Sequence, residues 1–228
     1  MKAFNSFLIK NIMYVLLLSS IAVLFVPRAF PLLLHEIVGT VLFCVVLFHI
    51  YIFRDYFHYK QPKSFTSFYK NLLILLTAVS FCIVIISGIG ISHYLFSAID
   101  LGSGRIYHQL HAGSVFLFLI FAFMHAGFYF DRFFALISDA LGKKAKLAII
   151  CALYFIAANA LPLIFSYEFF DKITFNQSFS FFDDKRSVWL YIVDNFSIGI
   201  FFALLSYNIY RLLLTLDIKR IRKQQNDI

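Results

Sequence analysis

The chain has 228 residues, 61% of them apolar and only 14% charged, with a mean hydropathy of +0.83. Soluble domains lie near half apolar and a quarter charged, so a water-soluble globule is excluded, as is a disordered chain. Three cysteines without a CxxC pair exclude a disulfide scaffold. The net charge of +8 gathers just outside apolar runs, which marks membrane topology rather than a nucleic-acid groove.

Crossing ~30 Å of hydrocarbon as a helix takes roughly 20 apolar residues. Six such runs are expected, at 11–29, 31–53, 71–97, 106–130, 147–169 and 188–215. The fold expected is all-α, a polytopic membrane bundle of six transmembrane helices. Lys2 and Lys10 precede the first run in the manner of a signal peptide. Val26-Pro27-Arg28 makes a poor cleavage site, so a retained helix is expected. Pro27 and Pro31 bracket a tight turn into the second run. Gly88 and Gly90 loosen the end of the third, and Gly102 and Gly104 mark the loop after it. Cys44, Cys82 and Cys151 lie inside apolar runs and read as small buried hydrophobes.

Orientation follows from the cations. With the N-terminus inside, only five of the twenty Lys and Arg (Arg28, Arg105, Lys172, Lys185 and Arg186) fall outside, and the other fifteen fall inside. That bias places both termini in the cytoplasm, and the location expected is the cytoplasmic (inner) membrane.

Of seven histidines, six lie in or at the ends of spans, where each ionisable side chain is a functional candidate. His35 and His49 share span two, and His111 and His125 share span four, each pair 14 residues apart. Fourteen residues are about 40° short of four full turns, so each pair shares a helix face, about 21 Å apart along the axis. Both helices run from outside to inside. His35 and His111 therefore lie at one depth near the outer surface, and His49 and His125 at one depth near the inner surface. Facing helices in a bundle are where cofactor sites are built. Haem iron takes two axial imidazoles, one from each side, so two stacked b-type haems fit this register. Four zinc ligands would have to converge, which a 21 Å separation prevents.

Around these ligands, Gly39 lies one turn below His35, and Gly113 two residues past His111. A missing side chain there leaves room for a flat macrocycle. Arg28 and Arg105 at the outer level, and Arg54 and Arg132 at the inner one, are candidates to meet haem propionates and also serve as topology determinants. His108 competes with His111 but breaks the 14-residue register. His93 lies at a similar depth, and His58 belongs to the basic inner loop. Asp194 and Asn195 sit two turns into span six, as an inter-helix hydrogen bond or a proton or quinol site. The competing class is a haem-free transporter or proton relay with histidines along a polar path. Relay groups need hydrogen-bond or water-bridge spacing, whereas these pairs are separated by Leu, Val and Phe.

A shift of 76 residues maps Leu34-His35 onto Leu110-His111 and His49 onto His125. Two tandem helix pairs, 1–132, then form a four-helix haem-binding core, followed by two further helices and a basic tail, 133–228. The pattern Leu34-His35-Glu36-x-x-Gly39…His49 with Ser87-Gly88-Ile89-x-x-Ser92…His108-x-x-His111…His125-x-Gly127 resembles the flavinylation-associated cytochrome family. It is similar more broadly to di-haem cytochrome b and ferric-reductase-like membrane domains. The resemblance covers about residues 10–132. It implies two b-type haems, transmembrane electron transfer as an electron-transfer protein or oxidoreductase subunit, a quinol or inner-side donor, and an extracytoplasmic flavin-carrying partner.

Overall fold

The computed structural model describes residues 2–24, 30–58, 64–99, 104–176 and 187–226. Every regular element among them is a helix. In chain order these are α1 (Lys2–Leu24), α2 (Leu32–Ile52), α3 (Asp55–His58), α4 (Phe65–Gly90), α5 (Arg105–Gly127), α6 (Phe130–Asn159), α7 (Leu161–Ile164), α8 (Tyr167–Ile173) and α9 (Val188–Asn226). Among the described residues five stretches are long and apolar enough to cross a membrane: α2, α4, α5, α6 with α7, and α9. The apolar part of α1 is shorter, Asn11–Leu24, and the rest of its expected span, 25–29, lies outside the described residues. Large side chains such as Phe155, Phe68 and Trp189 stand exposed; so extensive an apolar surface is that of a protein immersed in lipid. This is a multi-pass helical membrane protein. Cys44, Cys82 and Cys151 are exposed as well, which corrects their expected burial.

Local chemistry explains the helix limits. Pro31 opens α2 with φ −55 and ψ 144, where its missing N–H costs nothing. α4 begins at Phe65, six residues ahead of the expected 71. The Ser64 hydroxyl accepts from the Ser67 N–H at 3.1 Å, and the Asp217 carboxylate accepts from the N–H groups of Phe65 and Thr66 at 3.1 and 3.0 Å. Those donors are among the four that a helix start leaves unsatisfied. α4 stops at Gly90 instead of 97. Beyond it the Glu36 carboxylate takes the Ser92 hydroxyl and the N–H groups of His93 and Leu95, each at 2.8 Å. A chain held in that way no longer makes helical bonds.

The fifth span differs most. α6 runs on from Phe130 but breaks at Gly142 (φ 86, ψ 167), a conformation that glycine adopts without strain. The segment then ends in the Ala160 turn and α7, with Pro162 in its first turn. Ser166 starts α8, its hydroxyl accepting from the Phe169 N–H at 3.2 Å. The expected single helix over 147–169 is therefore interrupted. α9 has 39 residues, or about 58 Å, twice the hydrocarbon thickness.

The chain divides into two compact units, described separately. The first comprises 1–60, 88–103 and 182–192; the second comprises 61–87, 104–181 and 193–228. In the first unit α1 packs on α2. In the second, Phe116 and Ile120 of α5 form a core with Ala160, Phe169 and Ile198. Close approach replaces hydrophobic drive where lipid is the solvent. A Cβ on Gly127 would lie 3.1 Å from the Ala203 carbonyl carbon, and one on Gly199 would lie 2.8 Å from the Phe123 ring. Only glycine lets α5 and α9 come so near.

Candidate functional site

On α2, His35, Gly39, Leu42, Val46 and His49 form the less exposed stripe, at the i, i+4, i+7, i+11, i+14 spacing of one helix face. Leu47, Phe48 and Ile50 on the other side are exposed. The two imidazoles of this unit therefore share the half-buried face, as the 14-residue spacing requires. A Cβ on Gly39 would have only Leu24 Cδ2 nearby, at an ordinary contact distance of 3.9 Å. The Nδ1 atom of His49 is buried with no hydrogen-bond partner among the described residues. The His49 ring lies 4.8 Å from that of Phe53.

In the second unit His111 is held by α4. Its Nδ1 lies 3.2 Å from the Val84 carbonyl oxygen and 3.3 Å from the Ser87 hydroxyl. A carbonyl only accepts, and the Ser87 hydroxyl has its own acceptors in the Ile83 and Val84 carbonyls. Nδ1 therefore carries a proton, and in the neutral ring the lone pair then lies on Nε2. That is the tautomer and the backbone bond which metal-ligating histidines use. His125 is half-buried, with the rings of Phe128 and Tyr129 edge-on at 5.9 and 5.8 Å.

The remaining candidates separate. Gly113 does not supply room for a macrocycle, because α8 fills it. A Cβ there would sit 2.9 Å from the Lys172 carbonyl oxygen and against the Phe175 ring. Phe175 itself turns with φ 60, an uncommon state for a bulky residue, and that turn lays its ring on the glycine. Lys172 is buried, paired to Glu168 at 2.6 Å, with its ammonium 4.7 Å from the Phe116 ring centroid. Arg105 is exposed at the start of α5, His93 and His108 are exposed too, and Arg28 lies outside the described residues. Arg54 lies over the Tyr51 ring at 4.4 Å.

Sequence reasoning missed three polar devices. Glu36 was seen only as a neighbour of His35, and it straps the loop after α4. Asp217 caps α4 from α9. Asp131 accepts from Tyr207 and Arg211, each at 2.8 Å, where α6 begins. Among the described residues no three His, Cys, Asp or Glu side chains cluster as a metal cage would need. An iron held by two imidazoles asks for no such cluster. Compared with protein-family models, curated proteins and solved structures, the chain matches none.

Proposed function

We propose that this multi-pass protein is a membrane electron carrier, and in particular a di-haem b-type cytochrome of the flavinylation-associated kind. The observation that carries the reading is the doubled 14-residue histidine spacing on α2 and α5, with His111 Nδ1 3.2 Å from the Val84 carbonyl oxygen. The residues fit the group in each unit. His35 and His49 share a half-buried face on which a Cβ at Gly39 would make no contact closer than 3.9 Å, and the buried Nδ1 of His49 has no hydrogen-bond partner among the described residues. By sequence register His35 and His111 hold the outer haem, and His49 and His125 the inner one. Gly39 leaves room, and Arg28 and Arg105 serve the outer propionates.

Bound haem iron supplies one-electron chemistry. The protein's part is to hold four neutral imidazoles, to fix the tautomer of His111 through its Nδ1–H bond to the Val84 carbonyl, and to keep water out with Leu, Val and Phe between the two levels. Electrons enter from a quinol or an inner-side donor and leave to an extracytoplasmic flavin-carrying protein. The chain lies in the cytoplasmic membrane with six crossings and both termini inside. A proton relay is disfavoured by the ~21 Å of apolar helix between the members of each pair.

Single alanine variants test the assignment by haem content. His35→Ala and His111→Ala lose the same haem, and His49→Ala and His125→Ala lose the other. Full haem content in any of the four contradicts its ligand role.

A further inference from the structure

The fifth and sixth spans carry no histidine, and the ligand arrangement gives them no task. Within the second unit, α6, α7 and α9 enclose an open cleft of about 520 Å³, within the ~300–1,000 Å³ of small-molecule sites. Its walls include the Phe155 and Phe196 rings and Ile200, and Asn159, Asp194 and Ser197 also line it. Asp194 is the seventh residue of α9, about 9 Å along the helix. A carboxylate within an apolar helix pairs inside the protein or faces a ligand, an ion or a proton path, and its four acceptor sites let it do both. Asn159 gives one amide proton to the Phe155 carbonyl at 2.7 Å; its second proton and its oxygen remain in the inventory. Phe155 and Val193 are exposed at the cleft's edge, so the way in is from the lipid side.

We infer that this cleft binds a lipid-soluble ring bearing hydroxyl groups, a quinol, whose hydroxyl donates to the Asp194 carboxylate. Two phenylalanine rings suit a flat aromatic head. An acyl chain would have no use for Asp194, Asn159 and Ser197, and a proton path alone would not need the volume. Quinol chemistry supplies both the flat ring and the polar edge. The inference deepens the proposed function by locating its donor, and rests on that reading for the use made of the ligand. Binding itself requires no haem.

The test uses the full chain in phosphatidylcholine nanodiscs free of quinone and quinol, with a photoreactive azido-quinol, kept reduced under anaerobic conditions, as probe. The label should map to peptides spanning 155–163 and 193–200. Unlabelled quinol should compete, and a polyprenol of equal tail length should not. Asp194→Asn preserves shape and should weaken quinol competition about tenfold, as expected for losing a charged acceptor. Ile200→Trp fills the cleft and should abolish labelling; if it does not fold, Asp194→Asn carries the test. Label elsewhere, equal competition by polyprenol, or unchanged competition in Asp194→Asn would overturn the site. Haem content of the same preparation is read from its visible spectrum. A colourless protein that labels in the cleft contradicts only the cytochrome, and a red protein that does not label contradicts only the site.

Discussion

The apolar stretch of α2 is 6% buried, against 39% for that of α5, although each helix carries a pair of histidines 14 residues apart. α5 is the axis of its unit. α9 crosses it at Gly127, the end of α8 covers Gly113, and α4 bonds to His111. Within its own unit α2 leans on α1, and its Glu36 holds the 92–95 loop. A sequence repeat thus gives two helices with the same histidine spacing without giving them similar surroundings. Substitutions at the buried positions of α5 should cost fold and cofactor together, while those of the α2 histidines should cost cofactor alone.

The sharpest contrast is between glycines. Gly127→Leu drives a side chain into the α9 backbone, 3.1 Å from the Ala203 carbonyl carbon and 3.2 Å from the Tyr207 nitrogen. Backbone cannot step aside, so overpacking of about 1–3 kcal/mol or more is expected, visible as lost monodisperse protein in size-exclusion chromatography. Gly39→Ala on α2 meets only Leu24 Cδ2 at 3.9 Å and should keep wild-type thermal stability. Equal behaviour of the two variants breaks the comparison. Gly113→Ala falls between them, because the Phe175 ring can move and the Lys172 carbonyl must shift. Its melting temperature should drop less than that of Gly127→Leu.

Glu36→Gln addresses α2's own polar contact. The amides of His93, Tyr94 and Leu95 should exchange with deuterium about tenfold faster, the factor for one modest hydrogen bond, while the amides of α5 keep their rates. Acceleration spread over both helices would show that the units do not respond separately. The smallest effect belongs to His108→Ala. This exposed side chain should leave two haems in place, and loss of one would promote it over His111.

Much of the fold was legible because apolar runs declare themselves. α2 and α5 began within a residue of expectation, since Pro31 and Gly104 mark their starts locally. α4 did not, because its cap comes from Asp217, 151 residues along the chain from Thr66. Gly142 carries its break in a backbone angle, and its sequence neighbours, Leu141 and Lys143, suit a helix. The histidine faces followed from spacing alone. The bond from His111 to Val84 could not, because it joins two helices and involves a carbonyl that every residue possesses. Gly113 shows the limit of the local argument. A glycine beside a candidate ligand suggests room, yet only the tertiary packing decides what fills it.

The visible spectrum of the purified full-length protein from haem-replete cells tests the central claim most directly. A red protein with a low-spin bis-imidazole spectrum and two haems per chain by pyridine haemochrome is the result expected from two matched histidine pairs. A colourless protein, or one with haem in a single site unaffected by all four histidine substitutions, would contradict it.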